Sequence, residues 1–271
     1  MDNPSDACRG ELYIVGIGLH PKMLTLEALE AINKADSVYL ETYTSPGVDE
    51  MTSFLEKIRF GEKITRLTRK DIEEQGAREI INKLRNGEKV CFLVYGDPFV
   101  ATTHNALRLE ALRLGCRVNY VPGISVYHYS ISATGLFNYK FGPSVTVVYP
   151  RWGIKFTSPY MTINENLERG LHTFVFLDID EKLGPMTPDI AAKLLLEAST
   201  EFEKRNLNEN SVVLVLERMG GPNEKIYCEK LGGLPNKRWG APPYSLVIPS
   251  KLHFMEKDVL LSIGLGCNKL F

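Results

Sequence analysis

Three glycine-containing turns carry the residues best suited to binding a ligand. They are Gly16-Ile-Gly-Leu19, Gly96-Asp-Pro98 and Pro122-Gly123, and each follows a short apolar run that predicts a strand. Because the carboxyl ends of parallel strands meet at one edge of a sheet, we expect the three turns to converge there. The sequence therefore predicts a small-molecule site at that edge.

The first turn lies where a dinucleotide-binding fold places its phosphate-binding glycines. Pro21 stands where that motif requires a third glycine, and the next helix begins only near Thr25, too late to direct its amino terminus at a pyrophosphate. A nicotinamide cofactor is therefore disfavoured. On its own, the turn is explained equally well by the backbone freedom of glycine.

The second turn is more informative because it contains a carboxylate. Asp97 can accept hydrogen bonds from hydroxyl or ammonium groups of a ligand, although forming the turn or capping a helix is the alternative role. His104 opens a helix and has no carboxylate at a fixed spacing, so we interpret it as structural. The third turn, at Gly123, lies at a predicted domain junction, which is a favoured place for ligands.

Alternation of apolar runs and helical periodicity predicts a mostly parallel sheet covered by helices in the first half of the chain. The predicted strands there are Leu12–Val15, Val38–Leu40, Ile64–Leu67, Val90–Tyr95 and Arg117–Val121, and the predicted helices are one from Thr25, Asp49–Ile58, Lys70–Leu84 and His104–Leu114. Strands at Val145–Val148, Thr173–Leu177, Val212–Leu216 and Ser245–Ile248, with a long helix at Pro188–Lys204, indicate a second sheet domain. We expect an N-terminal extension (1–11), an α/β domain (12–122) and a second α/β domain (123–271).

Charge and composition disfavour several classes of protein. Lys and Arg total 32 against 33 for Asp and Glu, which leaves no broad positive field for nucleic acid or an anionic membrane. No apolar run approaches the ~20 residues of a membrane helix. The five cysteines and five histidines are dispersed, without the close spacing of metal ligands, so we expect no metal and a reducing, cytoplasmic environment.

The three turns, in this order, resemble the tetrapyrrole methylase superfamily. Within it, five stretches are similar to the diphthine synthase family, especially its archaeal members: LYIVGIGL (12–19), YLETYTS (39–45), GDPFVATTH (96–104), YKFG (139–142) and ERGLHT (168–173). The similarity extends from Leu12 to about Asp258.

The resemblance implies a two-domain α/β fold with a cofactor cleft between the domains, a homodimer, and methyl transfer from S-adenosylmethionine. The implied substrate is the 3-amino-3-carboxypropyl group on a histidine of translation elongation factor 2, whose amino group is methylated successively to give diphthine. Cofactor contacts carried over from the family fall on Leu19, Asp97, Val100, Ser125, Val126, Leu177, Glu217 and Tyr244.

The chain departs from the family pattern at two of these positions. Relatives usually have a small residue in place of Glu217 and a histidine in place of Tyr244. If backbone groups make these contacts, the changes matter little, whereas contacts made by side chains would be altered. No residue is assigned as the proton acceptor for the amine: Glu41, Tyr43 and Tyr127 are near the predicted cleft, but core packing or surface exposure explains each equally well.

Two alternative functions stay open at this point. A methyltransferase acting on a tetrapyrrole carbon would use the same cofactor, but YKFG and RGLHT argue against it. A cofactor-binding interaction protein without turnover would keep the pocket, and only the two departures, Glu217 and Tyr244, favour it.

Overall fold

The computed structural model describes residues 8–44, 49–58, 64–151, 153, 157–203, 205–264 and 267. The chain forms two compact units, Met1–Val126 and Tyr127–Phe271. The predicted domain boundary, after Pro122, lies four residues before this division. Within the described residues, no helix is long and apolar enough to span a membrane.

The first unit is built on a five-stranded parallel sheet with the order β3-β2-β4-β1-β5. Its strands are β1 (Glu11–Gly16), β2 (Ser37–Glu41), β3 (Thr65–Leu67), β4 (Lys89–Val94) and β5 (Arg117–Val121). Its helices are α1 (Leu26–Lys34), α2 (Asp49–Ile58), α3 (Arg78–Arg85) and α4 (Asn105–Arg113). The predicted parallel α/β architecture is confirmed.

The position of strand β4 in the sheet explains why its sequence is apolar without alternation. Val90 and Phe92 pack into the core on one face of the sheet, whereas Cys91 and Leu93 pack into the core on the other face. A strand covered on both faces has no position for a solvated side chain. This strand therefore lies at the centre of the sheet and fixes the turn that follows it.

Helix α1 begins where its capping residue predicts, whereas the helix predicted over Lys70–Leu84 is interrupted. The side chain of Thr25 accepts the backbone N–H of Ala28 at 3.0 Å, so α1 begins where it was predicted to begin. The prediction of one helix over Lys70–Leu84 is wrong. A single π-helical turn (Lys70–Glu74) is followed by Gly76 (φ 62°) and Ala77 (φ 52°), whose left-handed backbone cannot continue a right-handed helix.

The second unit contains a mixed five-stranded sheet with the order β11-β10-β12-β7-β6. Its strands are β6 (Val145–Val147), β7 (Thr173–Leu177), β10 (Val212–Glu217), β11 (Lys225–Lys230) and β12 (Tyr244–Ile248), and β8 (Ile179–Asp180) and β9 (Gly184–Pro185) form a small hairpin. The helices are α5 (Val126–Thr134), α6 (Ser158–Glu168), α7 (Pro188–Ser199) and α8 (Phe254–Ser262). The predicted second sheet is confirmed, although β11 and α8 were not predicted. Helix α7 ends before Lys204, which lies outside the described residues.

Four of the five cysteines form disulfides, Cys8–Cys116 and Cys228–Cys267, and Cys91 is buried as a free thiol. The scattered spacing of the cysteines did not predict these pairs. Cys8 and Cys116 are 108 residues apart in the chain, but they precede neighbouring strands whose register pairs Glu11 with Arg117. Parallel strand pairing therefore brings together cysteines that spacing alone cannot match.

A buried carboxylate organises the second unit. Glu256, in the first turn of α8, is 0% exposed and accepts hydrogen bonds from Lys140 Nζ (2.6 Å), the backbone N–H groups of Phe137 (2.8 Å) and His253 (2.7 Å), and His172 Nε2 (3.0 Å). Burial raises the pKa of Glu256, but the hydrogen bond from Lys140 and the backbone donors outweigh it and lower the pKa to about 2. Every oxygen of this buried charge is therefore hydrogen-bonded.

The tautomer of His172 follows from its two neighbours. Its Nδ1 accepts the backbone N–H of Ser250 at 2.9 Å, so the proton of a neutral ring lies on Nε2 and points to Glu256. Burial lowers the pKa of His172, which favours this neutral form. The imidazole thus links the start of β7 to α8 without adding a charge.

Replacement of Glu256 by glutamine tests this network through its pH dependence. Because the folded-state pKa lies below the ordinary value of 4.5, the carboxylate stabilises the fold above pH 4.5 and this contribution is lost as pH falls toward 2. We expect Glu256→Gln to lower the free energy of unfolding at pH 7 by on the order of 3 kcal/mol and to flatten its fall between pH 4.5 and 2. Urea unfolding at several pH values measures both effects.

The matched control is Glu30→Gln, which removes a carboxylate from an exposed pair with Lys34 on α1. This control is expected to leave the pH dependence of stability close to that of the unmodified chain. If the free energy of unfolding falls equally steeply between pH 4.5 and 2 in Glu256→Gln and in the unmodified chain, the role assigned to the buried network is contradicted.

Candidate active site

The three predicted turns meet through their glycines. A methyl group placed on Gly16 would lie 2.6 Å from the carbonyl oxygen of Gly96 and 2.7 Å from Cα of Gly123. Gly96 (φ 71°) and Gly18 (φ 70°) exchange backbone hydrogen bonds of 2.9 and 3.2 Å. The predicted convergence is therefore confirmed, and it depends on the absence of side chains where the backbones touch.

Asp97 joins the second turn to the third. Its Oδ1 accepts the backbone N–H of Phe99 at 2.9 Å, and its Oδ2 accepts the hydroxyl of Tyr120 at 2.6 Å and the backbone N–H of Gly123 at 3.3 Å. Partial burial and the bond to Asp97 raise the pKa of Tyr120 to about 12, so its hydroxyl stays a donor at neutral pH. A carboxylate offers roughly four acceptor positions, and the described residues use three of them.

The other predicted residues of this unit surround the same turns. The side-chain position of Gly96 would lie 3.6 Å from Cα of Ser125 and 3.7 Å from Cδ2 of Leu19. The backbone N–H of Val100 donates to the carbonyl of Asp97 at 3.3 Å and closes the second turn. The structure therefore brings together four predicted cofactor contacts of the first unit, Leu19, Asp97, Val100 and Ser125, and Val126 follows Ser125 in the chain.

His104 is buried next to the second turn and contacts its Pro98. The ring is 0% exposed, its Nδ1 lies 3.1 Å from the carbonyl oxygen of Pro98, and its Nε2 lies 3.4 Å from the hydroxyl of Tyr43. Burial lowers the pKa of His104, so a neutral ring donates from Nδ1 and accepts at Nε2. These contacts agree with the interpretation of His104 as structural.

Two of the three polar residues considered as proton acceptors are occupied within the fold. Glu41 is 1% exposed and accepts the backbone N–H groups of Tyr43 and of Thr44, the latter at 2.6 Å. The ring of Tyr127 packs edge-on against Phe174, with 5.1 Å between centroids. Backbone donors thus occupy Glu41, and His104 engages the hydroxyl of Tyr43, whereas only the ring of Tyr127 is packed; no base is assigned.

The predicted contacts of the second unit lie side by side at one sheet edge. Glu217 ends β10 and pairs with Tyr244, the first residue of β12. The next residue of β12, Ser245, pairs with Phe176, which precedes Leu177 at the end of β7. Leu177, Tyr244 and Glu217 therefore occupy the same edge on adjacent strands.

The two side chains that depart from the family pattern are hydrogen-bonded inside this unit. Glu217 is 0% exposed and accepts from Arg218 Nη2, the backbone N–H of Gly240 (3.3 Å) and the hydroxyl of Tyr227 (3.5 Å). Burial and the charge of Glu217 raise the pKa of Tyr244 to about 12, and its hydroxyl donates to the carbonyl of Gly240. Both polar groups are thus engaged by the protein.

Two residues of these edges were not predicted. Tyr120 holds Asp97, and the sequence signal was a tyrosine directly before the Val-Pro-Gly turn. Arg218 holds Glu217, and the signal was a basic residue directly after an acidic strand end. Neither signal is specific without the strand pairing.

Comparison with known proteins identifies the family. The model for Tetrapyrrole (Corrin/Porphyrin) Methylases matches residues 11–235. This chain belongs to the tetrapyrrole methylase family. Diphthine synthase of Metallosphaera sedula is 37% identical over 258 residues, covering 95% of this chain and 98% of that protein. Diphthine synthase of Methanosarcina barkeri is 38% identical over 261 residues, covering 94% and 96%.

A solved structure gives the same result at the level of the fold. The crystal structure of a diphthine synthase superposes with a TM-score of 0.80 at 34% identity and covers 93% of this methylase and 95% of that chain. The predicted resemblance and fold class are therefore confirmed. The chain is an enzyme of the methyltransferase class.

A methyl group at the glycine contact tests the geometry of the site. In Gly123→Ala the new Cβ would clash with the carbonyl oxygen of Gly96, so the turns must move apart. We expect the free energy of unfolding to fall by about 1–3 kcal/mol, as for other overpacked positions. Gly233→Ala, where the nearest atom lies at 3.9 Å, is the control and should change stability far less. Equal stabilities for Gly123→Ala and the unmodified chain, by urea unfolding, would rule out the tight contact.

Proposed function

We propose that this methylase transfers methyl groups from S-adenosylmethionine to the amino group of the 3-amino-3-carboxypropyl side chain on a histidine of translation elongation factor 2, which gives diphthine in diphthamide biosynthesis. The observation that carries the proposal is similarity to diphthine synthases over 94–95% of the chain at 37–38% identity. A similarity of this extent favours the diphthine synthase reaction over methylation of a tetrapyrrole carbon.

The residues at the two sheet edges suit the methyl donor. The half-buried side chains of Val100, Val126 and Leu177 offer apolar surface at strand ends, which is the usual lining of a small-molecule site. The remaining acceptor position on Asp97 suits a hydroxyl or ammonium group of the ligand. We assign donor binding to Leu19, Asp97, Val100, Ser125, Val126, Leu177, Glu217 and Tyr244, the last two through backbone groups because their side chains are engaged.

The reaction needs little covalent chemistry from the protein. S-adenosylmethionine supplies an electrophilic methyl group on a sulfonium, a good leaving group. The substrate amine first loses a proton to water or an acceptor; a nitrogen–carbon bond then forms as the carbon–sulfur bond breaks and its electron pair goes to sulfur. Holding nucleophile and methyl carbon in line can supply ~7–11 kcal/mol of the barrier. The rigid turns around Gly96 and Gly123 suit this positioning role.

The proposal includes a cytoplasmic homodimer, as the family resemblance implies. Light scattering on the purified chain measures the assembly directly, and a monomeric mass would contradict the dimer.

Donor binding is measured by calorimetric titration with S-adenosylhomocysteine, with NAD as the control ligand. We expect binding of the former alone. Asp97→Ala should weaken it about 10-fold or more, because a hydrogen bond to a charged group contributes roughly 1.5–3 kcal/mol. Asp71→Ala is the matched control, since Asp71 also accepts turn hydrogen bonds, from Thr68, but lies outside the predicted contacts. Unchanged affinity in folded Asp97→Ala would eliminate that contact.

Turnover is measured by incubating S-adenosylmethionine with elongation factor 2 that carries the 3-amino-3-carboxypropyl group. Mass spectrometry should show the factor gaining methyl groups one at a time on the modified histidine. Binding of S-adenosylhomocysteine without any gain in mass would instead identify a cofactor-binding interaction protein.

A further inference from the structure

Arg218 occupies an unusual backbone position at the edge of the second sheet. It follows Glu217 directly, on the same edge as Tyr244, and its φ of 50° lies in the left-handed region that few residues other than glycine adopt. Its N–H donates to the carbonyl of Pro243 at 2.9 Å, and its carbonyl accepts from Gly221 at 3.1 Å. The surrounding backbone therefore holds a conformation of a kind that clusters at functional sites.

The guanidinium of Arg218 is anchored at one end only. Its Nη2 donates to Oε1 of the fully buried Glu217, which is itself held by Gly240 and Tyr227. This bond holds one nitrogen of the guanidinium beside the strand end. A fixed guanidinium loses less side-chain entropy when it binds a further group.

Several donors of this guanidinium are not used by the described part of the chain. Arginine has five N–H donors, and Nε of Arg218 is buried without a hydrogen-bond partner among the described residues. The side chain as a whole is 28% exposed, so it is not sealed within the fold. A buried donor without an acceptor is costly to the fold, and a ligand oxygen would remove that cost.

The geometry of the free donors selects the chemical class of the ligand. A guanidinium pairs preferentially with a carboxylate through charge-assisted N–H···O bonds. Both reactants of the proposed function carry an amino-acid carboxylate: the methionine part of the methyl donor and the 3-amino-3-carboxypropyl group of the substrate. Nε of Arg151 is likewise buried without a partner among the described residues, but that guanidinium already faces two aspartates, Asp178 at 3.0 Å and Asp180 at 3.8 Å.

We propose that Arg218 binds the carboxylate of an amino-acid moiety in the active site, with Glu217 as the residue that positions it. This inference rests on the proposed function. The proposal also accounts for the buried carboxylate of Glu217. The charge of this carboxylate orients the guanidinium of Arg218, whose remaining donors are left for the ligand.

Titration of Arg218→Gln with two ligands tests the proposal and identifies the source of the carboxylate. S-adenosylhomocysteine carries the amino-acid carboxylate, and 5′-methylthioadenosine lacks it. If Arg218 binds the donor, affinity for the first ligand falls about 10- to 100-fold and affinity for the second is unchanged. If Arg218 binds the substrate, both affinities are unchanged and KM for the modified elongation factor rises by a similar factor.

Other outcomes overturn the proposal. Equal losses for both ligands would show general damage to the site, and no change in either affinity or in KM would show that Arg218 touches neither carboxylate. An unmodified chain that neither binds S-adenosylhomocysteine nor methylates the factor would reject the proposed function itself. A functioning chain that is indifferent to Arg218→Gln rejects only the role of Arg218.

Two further variants separate binding from folding. Arg218→Gln leaves Glu217 as a buried carboxylate without its cation, so the double variant Glu217→Gln/Arg218→Gln removes both charges. It should melt near the temperature of the unmodified chain and show the same selective loss. Arg151→Gln breaks a comparable ion pair of this unit and should leave the ratio of the two ligand affinities unchanged. A selective loss in Arg151→Gln as large as in Arg218→Gln would overturn the assignment.

Discussion

The arrangement of turns in the first unit depends on direct backbone contact between Gly16, Gly96 and Gly123. These glycines follow or end β1, β4 and β5, three neighbouring parallel strands, and a single methyl group on Gly16 or Gly123 would overlap the adjacent turn. The hydrogen bonds of Asp97 to Tyr120 and Gly123 hold the contact in place. Because the turns are fixed at this distance, the predicted ligand-binding residues around them have one arrangement. The site is therefore a property of strand ends packed without side chains.

The second unit is held by a different interaction, the buried Glu256. Its partners, Lys140 and His172, belong to the stretches YKFG and ERGLHT, two of the sequence stretches that carry the family resemblance. The side chain of Asn166 likewise bridges the carbonyl of Pro143 and the hydroxyl of Thr173 at 2.9 Å each, beside the same stretches. Two of the most recognisable parts of the sequence thus build a buried polar network. Their specificity reflects the demands of satisfying a charge away from water.

Local chemistry predicted much of the fold, and non-local contacts account for what it missed. The apolar run of β4 and the Thr25 cap were readable because each depends on residues nearby in sequence. The helix over Lys70–Leu84 was misjudged because its apolar periodicity continues through a left-handed break. Two contacts arise only once strands are paired. They are the disulfide between Cys8 and Cys116 and the hydrogen bond from the Tyr120 hydroxyl to Asp97. Sequence therefore predicted the convergence of the turns better than the contacts that hold them together.

The two departures from the family pattern form one hydrogen-bonded unit centred on Gly240. Its N–H donates to Glu217, its carbonyl accepts the hydroxyl of Tyr244, and a methyl group in its place would lie 2.5 Å from Oε1 of Glu217. A buried carboxylate introduced alone would be strongly destabilising, whereas here Arg218, Gly240 and Tyr227 all hydrogen-bond it. These hydrogen bonds make the two departures compatible with folding, because each buried polar group finds its partner within the protein.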